Sequence, residues 1–330
     1  MKSSVSSVPD PVPHSPPNRG PQAHVAVERC RVAAPLLPVS GFDPAQSPDL
    51  TNARSYCVSI GQRKIPFKYL RSSCERRPAL ICLHGMGLTT SSFWGAVPYL
   101  LPICDLVLID WSDFATGARW PRRGIPLANL ASDLMAVPNA LELERFSVAG
   151  SSLGGGLSLM TAMDFPNRVE KIILLNPAAY PQKLPGFYKV ARIPWLGELA
   201  MWWTPPDKLA SGIVYTGYAN PRRANPALVD DYRRNMQPLA NRLKLMHLIR
   251  HLPTREAQLQ RYANLAANIS QPTLLIWGIK DGLIDARTPQ RLKDDIPNLR
   301  VETLAAIAHL PHEESPAEVG PIMAEFLSTG

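Results

Sequence analysis

Gly150-Ser151-Ser152-Leu153-Gly154 has the form G-x-S-x-G. A serine hydroxyl is a poor nucleophile at neutral pH and needs a positioned base. The pattern follows a short apolar run, Phe146–Ala149, and opens a helix-like stretch from about Ser152 to Asp164. A serine on such a strand-to-helix turn adopts a strained backbone while its flanking chains pass close together, which Gly150, Gly154 and Gly155 permit. Taken without that context, the same residues are a Gly/Ser helix cap. Strand, glycines and helix in register favour an exposed nucleophile, and the framing glycines select Ser152 over Ser151.

The base must be one of the histidines at 14, 24, 84, 247, 251, 309 and 312. His309 and His312 share a loop between the last strand-like run and the closing helix. His309 comes first after the strand and can project over the sheet edge. His312 is expected to turn toward the helix as a solvated or capping residue. A catalytic imidazole also needs a carboxylate to hold its tautomer. Leu275-Ile276-Trp277-Gly278-Ile279-Lys280-Asp281 supplies strand, turn and acid in that order. Asp285 lies where the next helix is capped, and Asn176-Pro177, after an earlier strand, offers no carboxylate. Attack on a carbonyl generates an oxyanion that two preorganised N–H groups stabilise. The N–H of Leu153, at a helix start, is the first, and that of Met86 in His84-Gly85-Met86-Gly87 is the second. His84 itself is expected to be structural.

The elements that must position these groups are legible as alternating runs. Tyr56–Ile60 and Ile65–Leu70 form a hairpin pattern. Ala79–Leu83, Leu106–Asp110, Phe146–Ala149, Val169–Leu175, Thr273–Trp277 and Arg300–Leu304 are apolar or strand-like. Helical stretches are expected near Ser92–Leu100, Leu127–Leu141, Pro289–Ile296 and Ala317–Leu327. Strands apolar on both faces that alternate with helices indicate an α/β protein with a mostly parallel sheet covered on both sides. The rhythm breaks between about 178 and 269, where Leu228–Met236 and Leu239–Leu252 carry helical spacing. An insertion there sits at the carboxyl ends of the strands and is placed to be a lid.

His84-Gly85-Met86-Gly87, the G-x-S-x-G turn, Trp277-Gly278-Ile279-Lys280-Asp281 and the stretch His309–Pro316 together resemble the α/β-hydrolase superfamily over about residues 56–328. The order Ser, Asp, His agrees with it. The resemblance implies an α/β-hydrolase fold with helices on both sheet faces and a helical cap insertion. Within the superfamily the chain is similar to the capped branch of esterases, lipases, haloperoxidase-like proteins, epoxide hydrolases and carbon–carbon bond hydrolases. Dehalogenases and epoxide hydrolases use an aspartate nucleophile, against which Ser152 argues. Carbon–carbon hydrolases often carry Asn before the nucleophile, where this chain has Ser151. The segment Asp110–Pro121 departs from the family's usual D-x-x-G-x-G-x-S. No metal or organic cofactor is implied.

Composition bounds the rest. The apolar share of 45% over 330 residues supports a sizeable core. Ten prolines lie between Pro9 and Pro48, so residues 1–52 are expected to be a disordered, Pro-rich extension. The α/β core then comprises 53–177 and 270–330, and the cap 178–269. Five cysteines without a C-x-x-C pair read as reduced thiols in a cytoplasmic protein. Met1–Gly20 lacks the apolar region of a signal peptide.

The net charge of +8 resides in 178–270, which holds thirteen Lys and Arg against five Asp and Glu. Such a lid could attract an anionic substrate or an acidic membrane, with Trp195, Trp202 and Trp203 as interfacial or acyl-binding residues. Solvated helix faces over packed aromatics are the favoured reading. No motif supports nucleic-acid binding. The sequence as a whole is read as a serine hydrolase that cleaves a carboxylic ester with an apolar acyl part, in the manner of carboxylesterases and lipases. Its competitors are carbon–carbon hydrolysis of a keto acid and a weakly catalytic small-molecule receptor. The oligomeric state is not encoded legibly.

Overall fold

A computed structural model describes residues 27–29, 54–60, 63–73, 78–112, 127–180, 186–251, 266 and 268–329. The strands are β1 (Val27–Arg29), β2 (Arg54–Ile60), β3 (Arg63–Leu70), β4 (Ala79–Leu83), β5 (Asp105–Ile109), β6 (Phe146–Ser151), β7 (Val169–Leu175), β8 (Thr273–Gly278) and β9 (Leu299–Leu304). They form one sheet in the order β1-β2-β3-β5-β4-β6-β7-β8-β9. β1, β2, β3 and β5 pair antiparallel in turn, and every pairing from β5 through β4 to β9 is parallel.

The all-apolar strands are explained by a core on each face. Ile81, Leu83, Val107, Ile109, Ile172, Leu174 and Leu275 face one way, against helices α2 (Leu127–Leu134) and α4 (Leu153–Asp164). Their neighbours Leu80, Cys82, Leu106, Leu108, Ile173, Leu274 and Ile276 face the other. There they meet a 3-10 segment, Thr90–Ala96, that runs into α1 (Val97–Leu100), and the closing helix α12 (Pro316–Ser328). With side chains alternating across a strand, burial on both sides favours apolar residues on both faces, and the buried polar residues Asp105, Ser147 and Thr273 lie at or next to the strand starts. Each such Leu or Ile contributes roughly 1.5–3 kcal/mol by leaving water. α3 (Ala136–Ala140) follows α2, α10 (Thr288–Asp295) links β8 to β9, and the short α11 (Pro311–Glu314) precedes α12.

Between β7 and β8 the described chain is helical: α5 (Gly186–Arg192), α6 (Leu196–Trp203), α7 (Pro206–Gly217), a 3-10 turn at Pro221–Arg223, α8 (Pro226–Met236) and α9 (Leu239–His251). None of the described helices is long and apolar enough to cross a membrane.

Two observations bear on these expectations. Residues 27–29, inside the segment read as a disordered extension, add β1 to the sheet edge, with Val27 opposite Val58. A β-branched residue can extend an open edge even within a Pro-rich stretch. The rest of 1–52 lies outside the described residues. Secondly, Cys57 is disulfide-bonded, to a partner outside the described residues. The five cysteines are therefore not a wholly reduced set, and the cytoplasmic reading loses that support, since disulfides persist in oxidising compartments.

Candidate active site

β6 ends at Ser151, and Ser152 turns the chain into α4 with φ 53° and ψ −119°. A positive φ on a serine is a strained state held by its surroundings. Its N–H donates to Leu175 O at 3.0 Å, and its carbonyl accepts from Gly155, Gly156 and Ala178. The turn is tight enough that a Cβ at Gly150 would lie 2.2 Å from Gly154 O, and one at Gly154 would lie 2.1 Å from Leu83 O. Side chains at these two positions would force β6, α4 and β4 apart.

Asp281 follows β8 and is closed off from solvent, as is most of His309. His309 Nδ1 and Asp281 Oδ2 are 2.8 Å apart. Burial pushes the Asp281 carboxyl up, but its hydrogen bonds to His309, the Leu283 N–H and Asn176 outweigh this and hold it below the ordinary aspartate range. An ionised carboxylate only accepts, so Nδ1 carries the proton of a neutral His309 and Nε2 is left with the lone pair. Ser152, His309 and Met86 line one cavity of about 260 Å³. Leu153 heads α4, so its N–H lies at a helix N-terminus, where partial positive charge accumulates. Met86 follows β4, Ser152 and Leu153 follow β6, Asp281 follows β8 and His309 follows β9, so all five lie beyond the carboxyl ends of parallel strands.

The cavity is largely apolar. Leu88, Met201, Ile213, Leu245 and Leu283 contribute, and among the described residues Lys208 is the one cation lining it. Four arginines of the basic segment lie elsewhere. Arg233 and Arg234 both pair with Asp230, at 2.6 and 2.5 Å, along the α8 surface. Arg222 and Arg223 line a different cavity.

Asp285 accepts from the Arg287 N–H at 2.9 Å just before α10, a turn-forming role. His84 is fully buried, stacks on Trp111, and contacts Gly85 O and Asp110. It fixes the Met86 loop.

His312 departs from its expected solvated place. It is completely buried, its Nε2 is 2.8 Å from Ser92 Oγ, and its ring packs on Phe93. Burial, with the nearby His309, pushes its pKa down to about 3. The cause is α11, which carries the chain straight onto the Thr90–Ala96 segment rather than across the surface.

Three residues of the surroundings escaped the sequence reading. Asn176, at φ 42°, donates to Asp281 Oδ2 at 2.7 Å and accepts from the Gly278 N–H at 2.9 Å. Glu314 accepts from the backbone of Ala219, Asn220 and Ala308. Glu313 accepts from the hydroxyls of Tyr218, Tyr232 and Ser92, and burial pushes its pKa up to about 6 against those hydrogen bonds. The paired carboxylates thus join the helical segment to the loop that carries His309. Their only sequence signal was two acids beside two histidines.

Residues 78–316 match the sequence model of a family described as alpha/beta hydrolase fold. An uncharacterized hydrolase of Bacillus subtilis, YugF, is 25% identical over 76% of this chain and 90% of its own length. The carboxylesterase CesB of Bacillus subtilis superposes with a TM-score of 0.66 at 20% identity, covering 87% of this chain and 94% of that one. The meta-cleavage product hydrolase CumD of Pseudomonas fluorescens gives 0.66 at 15% identity, covering 80% and 94%.

Proposed function

The chain belongs to the α/β-hydrolase fold family, and from that premise we propose that it is a serine hydrolase acting on carboxylic esters through an acyl-enzyme. Ser152 attacks the ester carbonyl while His309 Nε2 takes its proton. Asp281 stabilises the imidazolium, and the N–H groups of Met86 and Leu153 hold the oxyanion. His309 then protonates the departing alkoxide. Water, deprotonated by the same imidazole, attacks the acyl-enzyme and releases the acid and Ser152. Residues 178–269 act as the cap over this site.

The observation that carries the reading is the apolar cavity shared by Ser152 and His309, with Lys208 as the one cation among its described lining residues. Such a lining suits an apolar acyl chain and offers little for the two charges of a keto-acid substrate. Similarity to both a carboxylesterase and a meta-cleavage product hydrolase leaves the fold neutral between these chemistries.

A panel of p-nitrophenyl esters from acetate to palmitate tests it, with fluorophosphonate labelling as a parallel readout. Turnover rising from the shortest to medium-length chains is expected, with one label on the protein and none on Ser152→Ala. Labelling that survives in Ser152→Ala removes the nucleophile, and absence of ester turnover with intact labelling removes the substrate class.

A further inference from the structure

Eight of the nine large apolar residues exposed among the described residues fall between Val190 and Tyr215. Trp195 is 85% exposed, Trp202 63% and Trp203 72%, with Ile193, Leu199 and Tyr215 beside them in sequence. Single exposed hydrophobes are ordinary, but a cluster on one hairpin of helices marks an interaction site.

The cluster is held rigidly. A Cβ at Gly197 would lie 2.4 Å from Ala191 O, so α5 and α6 meet backbone to backbone. Arg250 of α9 makes a two-pronged contact with Glu198 and donates to Ala191 O and Ile193 O. Arg242, also on α9, donates to Met201 O and Thr204 O at the end of α6. Two buried-stem arginines therefore bind the inner side of the hairpin and leave its tryptophans outward. Trp195 sits at the connection between α5 and α6 with φ 65°, a strained backbone for an aromatic residue that gains no burial there.

We propose that this hairpin is a docking surface for an anionic phospholipid bilayer, which it enters to the depth of its tryptophan side chains. Residue chemistry selects lipid over a protein partner. Trp and Tyr favour the headgroup boundary, where an apolar ring meets water and a polar edge remains hydrated. The charge is complementary as well. Glu198 is neutralised by Arg250, and Asp207 lies 3.7 Å from Arg233. Lys189 and Lys208 are exposed beside the cluster, in a segment with thirteen cations against five anions.

The surface and the site share helices α6 and α7. Met201 lines the Ser152 cavity and directly precedes Trp202, while Ile213 lines it two residues before Tyr215. The helices that carry the exposed aromatics thus also wall the cavity of Ser152. Resting on the ester reading above, the substrate class is then an acyl ester dissolved in lipid.

Full-length Ser152→Ala protein, which cannot consume lipid, is sedimented with phosphatidylcholine vesicles with and without phosphatidylserine. Binding is expected to be tighter with phosphatidylserine, to weaken with salt, and to blue-shift the tryptophan fluorescence. Trp202→Ala/Trp203→Ala should lose on the order of tenfold or more in vesicle affinity. The same pair of substitutions in the active protein should leave the melting temperature and hydrolysis of a soluble short-chain ester intact. Absence of vesicle binding, or binding that survives in the double variant, overturns the docking surface. So does a concentration-dependent dimer that the two substitutions abolish, which would make a second copy the occupant. Because binding is read on an inactive protein, failure of the ester reading leaves this result standing, and the reverse.

Discussion

Asn176 and His309 converge on the same oxygen of Asp281, from 2.7 and 2.8 Å respectively. Asn176 reaches it from the end of β7, where an acid would otherwise have been a second candidate for the carboxylate role. Its amide oxygen also holds the Gly278 N–H, so one side chain sets both the carboxylate and the turn that carries it. A carboxylate fixed by an amide, by the Leu283 and Ile284 N–H groups and by an imidazole has no freedom to rotate away.

Asn176→Ala removes one hydrogen bond to a charged group, worth about 1.5–3 kcal/mol in a buried site. A fall in kcat of roughly tenfold to a hundredfold is expected, with KM nearly unchanged. Asn176→Ala is also the harsher change for the φ of 42°, so the melting temperature must be read beside the kinetics. A stable variant with normal kcat would show that Asp281 needs no help from β7.

The two histidines of the last loop should separate cleanly. His309→Ala is expected to lower kcat by on the order of a thousandfold or more, because it removes the base itself. His312→Ala leaves the base but opens a cavity against Phe93 and removes one of the two partners of the Ser92 hydroxyl, leaving it Glu313. Its main effect should be a lower melting temperature, with kcat in the folded protein within about tenfold of wild type. Equal kinetic losses in both would mean that His312 takes part in proton transfer.

The difference in legibility between these residues has a physical origin. The buried strands could be read because a residue covered on both sheet faces must be apolar, and that signal is local. The nucleophile turn could be read because its glycines are required by contacts within a few residues. His312 was misread since its partner Ser92 lies 220 positions away. Asn176 was passed over in a search for carboxylates, although an amide can serve one. Helices α5 to α7 left no amphipathic stripe, because Leu196–Trp203 is apolar around much of its circumference and prolines at 194, 205 and 206 interrupt the spacing. The feature that hid these helices from a periodicity reading is the exposed apolar cluster itself.

Burial gives the region around His312 an acid-dependent stability. With a folded pKa near 3, against about 6.5 when unfolded, His312 stays neutral in the native state while the unfolded chain takes up a proton. Its contribution is complete above about pH 6.5 and is lost as pH falls toward 3, by at most about 1.4 kcal/mol per pH unit. Glu313 acts in the opposite sense. Its pKa is pushed up to about 6, so its contribution is complete below its unfolded value and fades as pH rises through 6. Urea unfolding of wild type and His312→Gln from pH 4 to 8 is the measurement. The wild type should lose stability relative to the variant on going from pH 6.5 to 4, and a constant difference would show that His312 titrates normally.

Lys208 decides between the two chemistries that the fold accommodates. Among the described residues it is the one cation lining the cavity of Ser152 and His309, whereas Arg233 and Arg234 are held by Asp230 on α8. An ester with an apolar acyl chain needs no cation there, and an exposed lysine is screened over about 8–10 Å by physiological salt. Lys208→Gln should therefore change kcat/KM for neutral esters by less than about threefold. For a carboxylate-bearing isostere the same change should also be small, and added salt should matter little. A keto-acid hydrolase would behave differently: among the described residues lining the cavity, Lys208 is the cation that would draw its anionic substrate, and no described arginine does. A wild-type preference for the carboxylate substrate of tenfold or more, abolished by Lys208→Gln and shrinking with salt, would reverse the assignment in favour of carbon–carbon cleavage.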